Sequence, residues 1–538
     1  MTRASARMAP VPVPAMTSIP ATPAAWAEDE GARKAFRWPM RFAQIIEPMA
    51  GVYRDYVAAT LAEADDDLRR VLLLGRRAMP VLALVQFALL TQAAKRDNTR
   101  LVGHPLLDYL ANGGDGEPAP LQPIGQPRVG GRWRMPRRLA RTRSWTSLAR
   151  LPRAMLVPDG VALTHNSLLR TWLRDAPVAV CNAYDEDFDL PAGRTKGVLP
   201  REVDAIDLAT EMRRALTADL KLDDDVSDRL GAALDAVLTE SYGDAADLLA
   251  RLRAARRLPK ALYSGTGNKR MSRALGLEIM RRGGEVTRCD HGGSFALLHP
   301  PDYVALNELS VSTRYLMPTR YAAKAPEMQA AAQRAAPLSG CVLEGATGDP
   351  GLDVGPAAFR RSPNPDGKPR VMYVSTVFYG MFQASPPVLA GPLYLDWQRR
   401  FIEILKSLPI SLTCKPHPGG WRPPAALDPA SGVSVATAPF ERAVADADVL
   451  VYDFPATTTL AVGLCTDRPV ILVDHGTMRF NPSMEAAVAA RCQIVSTGYD
   501  DDNRLTVARD ALETAILNAP AMADPTHFRS LYLGERAA

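Results

Sequence analysis

Two of the seven histidines directly follow segments that read as strands, His291 in CDHGGSF and His417 in CKPHPGG. In an open parallel sheet the C-terminal strand ends face the crevice where ligands bind. An imidazole there acts as a general base, or as a cationic donor to phosphate. Gly292 and Gly293 carry no Cβ, so the backbone can approach a ligand closely. The competing reading is a tight turn with His291 as a bystander. Asp290 either orients the ring or caps the loop, and Glu308, in ALNELSVSTRYLMPT, is a carboxylate facing the crevice or a surface group.

In KPHP, Pro416 and Pro418 restrict the backbone on both sides of His417, holding Lys415 and His417 in a nearly fixed relation. Such a pair suits a pyrophosphate or phosphodiester; the alternative is a rigid loop with a solvated lysine. Asp453 ends the run VLVYD, and Thr457, Thr458 and Thr459 fall where the next helix begins. Hydroxyls and free N–H groups at a helix start form an anion site, although a single threonine there is an ordinary N-cap. His475, in VDHGTM, closes another strand as a secondary ligand contact or a structural group. SGTGNKR at 264–270 lacks both the Walker spacing and the third glycine of a dinucleotide fingerprint, and reads as a turn with modest phosphate-binding capacity. Asp185, Asp187 and Asp189 carry oxygens a metal would accept, but the pattern is short, no further ligand cluster lies nearby, and it reads as a solvated acidic loop. Cys289 and Cys414 read as small buried apolar residues.

The elements that must place these groups alternate between strand and helix. LPKALY, the turn SGTG, the helix NKRMSRALGLEIMRR closed by Gly-Gly, and EVTRCDHGG make a βαβ unit and hence parallel sheet. After a polar linker at 360–370 the alternation resumes: VMYVSTVF, a helix near Leu393 to Ser407, ISLTCKPHP, a helix at ERAVADA, then strand, loop, helix, turn and strand through VLVYDFPATTTLAVGLCTDRPVILVDHG. This second part is read as a doubly wound α/β domain. Ahead of both, apolar residues at helical spacing from Ala32 to Ala62, a buried helix within Val71 to Leu90, and one to three surface helices between 200 and 256 are expected.

Length and composition agree with such an architecture. The 538 residues exceed any small binding module, and 47% apolar with 23% charged residues excludes wholesale disorder and a many-spanning membrane protein. The charge, 64 − 59 = +5, is too small to imply nucleic-acid binding in bulk. It is unevenly placed, however: nine arginines lie between Arg128 and Arg153, with Trp133 and Trp145 among them, and no acidic residue intervenes between Glu117 and Asp159. This stretch is a mobile basic insertion or a grip on an anionic lipid surface or acidic polymer. Six cysteines without C-x-x-C spacing point to a reducing cytoplasm and to neither a zinc site nor a disulfide framework. Prolines 10, 12, 14, 20 and 23 interrupt any signal-peptide-like run, so a disordered leader is expected.

KPHP, followed about 35 residues later by YDFPATTTL and TDRPVIL, resembles the C-terminal nucleotide-binding half shared by capsule Kdo transferases, bacterial HP-motif sialyltransferases and CDP-glycerol glycerophosphotransferases. DHGGSF with Glu308, and the N-terminal RWPMRFAQIIEPMAGVYRDYV, resemble more closely an uncharacterised transferase family encoded near sialic-acid-like surface-sugar genes. The likeness covers about 260–320 and 370–475. It implies a GT-B-like α/β fold, two Rossmann-like domains facing a central cleft: a leader at 1–30, an acceptor-side domain at 31–360 with a basic loop at about 112–153, a nucleotide-sugar-binding domain at 366–522 and a tail at 523–538.

The activity implied is a metal-independent, cofactor-free glycosyltransfer from a nucleotide donor, CMP-linked nonulosonic acid or Kdo-like sugar, onto a surface glycan, glycolipid or glycoprotein. The setting implied is cytoplasmic or peripheral on the inner plasma membrane. The expected catalytic set is His291, His417, Asp290 and Glu308. Lys415, His417, Asp453, Thr457, Thr458, Thr459, Gly292 and Gly293 are expected at the donor phosphate. HGG in place of an HGTP-type segment, and threonines in place of a serine pair, weaken the rival polyol-phosphate transferase reading. A non-catalytic sugar-nucleotide-binding protein is the other alternative.

Overall fold

In the computed structural model the chain is α/β and carries two parallel six-stranded sheets. The structure describes residues 17–20, 23–75, 78–103, 105–113, 134–164, 166–183, 188, 204–298, 301–355, 359, 361, 366–376, 391–419, 423–476 and 479–534. Strands β1 (Thr17–Pro20) and β2 (Thr99–Val102) form a small parallel pair. The first large sheet contains β3 (Gly160–Ala162), β4 (Val180–Asn182), β5 (Ala261–Ser264), β6 (Glu285–Cys289), β7 (Arg314–Met317) and β8 (Val342–Gly345), in the order β4-β3-β5-β6-β7-β8. The second contains β9 (Arg370–Val374), β10 (Ser411–Lys415), β11 (Ser434–Val435), β12 (Val449–Tyr452), β13 (Val470–Asp474) and β14 (Cys492–Ser496), in the order β11-β10-β9-β12-β13-β14. Counted from its own first strand, the second sheet has the order 3-2-1-4-5-6 of doubly wound nucleotide-binding folds, whose switch point lies between β9 and β12. A short antiparallel pair, β15 (Gly498–Tyr499) and β16 (Leu505–Thr506), follows.

The central strands are apolar along their whole length because both faces are covered. Val449, Leu450, Val451 and Tyr452 of β12 are all buried, as parallel strands between helical layers require. The βαβ unit forms as its sequence predicts, through β5, the helix Arg270–Arg281 and β6. A helical layer of Phe42–Ala62, Ala78–Arg96, Ala205–Thr217 and Asp224–Ala254 accompanies the first sheet. The last two are the expected surface helices, amphipathic in section: Leu230, Leu234, Leu238 and Tyr242 are fully buried where the long helix packs against Ala78–Arg96, while Glu211, Arg214, Asp228, Glu240 and Asp244 are exposed.

Three expected boundaries differ. Part of the supposed leader is ordered, with the helix Pro23–Glu28 burying Trp26 edge-on against Phe36, 4.9 Å between ring centroids. The supposed tail contains the helix Thr526–Leu533, which buries Phe528, Leu531 and Tyr532 and returns to the first half: Thr319 Oγ1 donates to the Leu531 carbonyl, and Asp349 N–H to that of Tyr532. The basic stretch is helical at Arg134–Trp145 and Leu151–Leu156, because Trp145 and Ala154 have apolar partners inside. Residues 114–133 lie outside the described residues, as do Asp185, Asp187 and Asp189.

The loop after β6 meets the second half at its strand ends. Asn481, after β13, donates through Nδ2 to the carbonyls of Phe295 and Ala296, and through its N–H to Leu297. One apolar cluster runs unbroken from Ala296 and Tyr315 through Leu460 and Ala461 to Tyr532. The C-terminal edges of the two sheets therefore face each other across this contact.

Candidate functional site

His291 projects exposed from the turn after β6, and Asp290 beneath it is buried. Gly292 and Gly293 have φ of 81° and 76°, a left-handed backbone that glycine adopts without strain. Both glycines are also pressed against the other half. A Cβ on Gly292 would lie 2.2 Å from Thr458 Oγ1, and one on Gly293 would lie 2.8 Å from Tyr532 Cε1. The absent Cβ atoms thus serve the junction between halves, where close approach to a ligand was expected.

Asp290 has no well-aligned hydrogen-bond partner on either oxygen among the described residues. Burial, helped by Asp349, pushes its carboxyl up to about 7, against the backbone N–H groups of Phe295, His291 and Gly293. Asp349 was invisible to sequence reasoning. It sits in the loop after β8, accepts from Ser167 Oγ at 2.6 Å and from Gly351 N–H at 2.9 Å, and burial raises its carboxyl as well. Asn166 caps the helix Ser167–Asp175 through Oδ1 and donates from Nδ2 to the Asp290 carbonyl at 3.2 Å, tying the loops after β3 and β6 together. An acidic residue in the Gly-rich loop GATGDPG after a strand is the signal that could have found Asp349.

Glu308 does not line a crevice. It is 2% exposed and accepts from Thr266 Oγ1 (3.0 Å) and Gly267 N–H (2.7 Å), fastening the SGTG turn. Burial raises its carboxyl, and the nearby Arg288 guanidinium opposes the rise. Arg288, fully buried and pushed down to about 10 by burial, donates to the carbonyls of Val311, Thr266 and Ser272 and to Ser272 Oγ. Glu308 is a positioning group for this turn.

In the second sheet, Lys415 and Tyr452 flank the same residue of β9, Val374. At two strand spacings their backbones are about 10 Å apart. Asp453, one residue on, was expected at the donor phosphate but is 2% exposed and faces inward. It accepts from Tyr373 Oη (2.6 Å), Trp397 Nε1 (3.1 Å) and Tyr394 Oη (3.2 Å). Burial carries its carboxyl up to about 6 against those three donors. His475 is buried edge-on to Trp397, 4.7 Å between centroids; burial pushes it down to about 3, and its Nε2 has no partner among the described residues. Thr457 and Thr459 also turn inward: Thr457 Oγ1 caps its helix by accepting from Thr459 N–H at 3.0 Å, and the two hydroxyls bond each other. Thr458 is the exposed one and lies against Gly292.

Lys415 and His417 are different. Lys415 is 8% exposed, yet its ammonium reaches only the Pro416 carbonyl, at 3.3 Å, and makes no ion pair among the described residues. Burial lowers its pKa from the ordinary lysine value, with Glu441 opposing from beyond pairing distance. His417 is exposed, and its Nδ1 accepts from Gly419 N–H at 3.1 Å. In the neutral ring this leaves the proton on Nε2, pointing away from the loop. Partial desolvation of the ring lowers the His417 value, the Gly419 backbone opposes this, and Lys415 lowers it further; the net shift favours that neutral form.

A cavity of about 200 Å³ lined by Arg370, Met372, Thr413 and Asp446 lies toward the opposite end of β9 and is unconnected with these groups. Among the described residues no three His, Cys, Asp or Glu side chains gather as metal ligands, and the six cysteines are buried and form no disulfide. No family model matches the chain, and no curated protein matches it either.

Proposed function

We propose that the chain is a GT-B-like glycosyltransferase which holds the phosphate of a nucleotide-activated sugar at Lys415 and His417. The observation that carries this reading is Lys415, a residue 8% exposed whose ammonium has three donors and, among the described residues, one carbonyl acceptor, beside the first strand of a doubly wound sheet. An under-neutralised buried cation is costly on its own and favours an anion beside it. His417 Nε2–H supplies a second donor from a loop that two prolines hold rigid.

In the transfer, the bond between the anomeric carbon and the donor phosphate oxygen breaks, and its electron pair stays on the phosphate. Lys415 and His417 stabilise that charge as it develops, which is catalytic because it grows in the transition state. The acceptor hydroxyl forms the new C–O bond, and its proton passes to the exposed His291 across the junction. The resemblance favours a CMP-linked nonulosonic or Kdo-like donor and a surface-glycan, glycolipid or glycoprotein acceptor.

The test is release of nucleotide and labelling of acceptor over a panel of nucleotide donors, with Lys415→Ala and His417→Ala beside the wild type. Each variant is expected to lose about 10²–10³-fold in turnover with an unchanged unfolding midpoint. Wild-type turnover by His417→Ala sinks the assignment. Phosphate carried into the product would replace the reading with a polyol-phosphate transfer, and donor binding with no turnover by the wild type would replace it with a non-catalytic one.

A further inference from the structure

The described residues leave twelve large apolar side chains exposed, and four of them fall within nineteen positions: Leu139, Leu148, Leu156 and Val157, the last two 81% and 73% exposed. Leu139 and Leu156 lie on the touching helices Arg134–Trp145 and Leu151–Leu156, Leu148 lies in the turn between them, and Val157 caps the end of the second. The inner faces of this pair are already used. Trp145, an expected interface anchor, is 1% exposed and donates from Nε1 to Asn182 Oδ1 at 3.4 Å, while Thr142 Oγ1 accepts from Asn182 N–H at 3.0 Å. Outside, Arg141 and Arg143 are exposed, as is Arg153, which pairs with Asp159 at 2.5 Å. Seven arginines and no acidic residue lie between 134 and 157.

We infer that this outer face docks on an anionic lipid bilayer. Arginines draw it to the headgroups, and the leucines enter the boundary with the acyl chains. A nucleic acid or soluble acidic polymer would engage the arginines and leave Leu148, Leu156 and Val157 in water, so the combination favours lipid. No helix among the described residues is long and apolar enough to cross a membrane, so the attachment lies on the surface. Asn182, which the same helix grips, is the last residue of β4, so the face borders the strand ends of the first sheet. Resting on the transferase reading, this places a lipid-borne acceptor at the β4 side of the sheet edge that carries His291, three strands from β6; the docking itself does not depend on that reading.

The full chain is tested by flotation with phosphatidylcholine vesicles, with and without phosphatidylglycerol. Binding is expected to the anionic vesicles and to fall as salt rises. Leu148→Ser/Leu156→Ser/Val157→Ser, and separately Arg143→Glu, should each weaken it by about tenfold or more, with melting temperatures and solution turnover unchanged. Wild type that fails to float with the anionic vesicles overturns the inference. So does a triple-serine variant that binds them as the wild type does, particularly if both bind heparin equally, which would make the face a polyanion site.

Discussion

Each sheet keeps a buried carboxylate beneath its strand ends, and the two are neutralised differently. In the first half Glu308 lies within the electrostatic reach of the fully buried Arg288; both Glu308 oxygens and one Arg288 nitrogen hold the SGTG turn, and the rest of the guanidinium is taken up by Val311 and Ser272. In the second half Asp453 is held by three uncharged donors, and the local cation, Lys415, stands apart from it with one carbonyl. Where opposite charges are buried together the site is closed, and adding a ligand would break bonds already made. Where the carboxylate is satisfied by neutral groups, the cation has unused donors and an incoming anion gains what the protein has left unmade. The same types of residue therefore build a scaffold in one half and an anion receptor in the other.

The sharpest way to break this comparison is to delete the two carboxylates. Glu308→Ala should cost about 3–5 kcal/mol, because it strands the Thr266 hydroxyl and the Gly267 N–H and removes the negative charge nearest the buried Arg288 guanidinium. Asp453→Ala should cost about 2–3 kcal/mol, because it strands only neutral donors. Equal losses in urea unfolding at neutral pH would remove the distinction.

The next effect concerns Asp290, whose carboxyl rises from 3.8 in the unfolded chain to about 7 in the folded one. Because the folded value is the higher, the stabilisation is full below the unfolded value and is lost as pH rises through the folded one. Between about pH 5 and pH 8 the wild type should lose about 2–3 kcal/mol through this group. Asp290→Asn should flatten that slope; parallel curves for the two proteins would show that Asp290 is not the titrating group.

Smaller still is the junction between halves. Gly292→Ala combines a positive φ with the clash on Thr458 and should cost about 2 kcal/mol. Gly283→Ala has a φ of 75° but nothing within 4 Å, and should cost about 1 kcal/mol. Similar midpoints for the pair would mean that Thr458 gives way and that the halves are not locked at Gly292.

Much of the framework was legible in the sequence because its signals are local. Apolar runs such as VLVY and VILVD, broken by Gly, Pro and Asp, mark parallel strands; the helix period marks what lies between them. The sites differ in this respect. KPHP carries its own rigidity, so the relation between Lys415 and His417 could be read directly from four residues. Asp453 was misplaced because its partners Tyr373 and Tyr394 are 80 and 59 positions away, and Glu308 because Gly267 is 41 away. Trp145 looked like an interface anchor beside its arginines until Asn182, from β4, was found against it.

By itself, then, the sequence determined where strands end, which residues stand at those ends, and where positive charge accumulates, because each depends on neighbours within a turn or two of chain. Only the tertiary structure decided which of these groups remain free. Whether a charge is desolvated, and whether its donors are already used, depends on what distant segments bring to it. That is why Glu308 and Asp453 became interior acceptors, Gly292 a point of contact with Thr458, and Lys415 a buried cation with donors to spare.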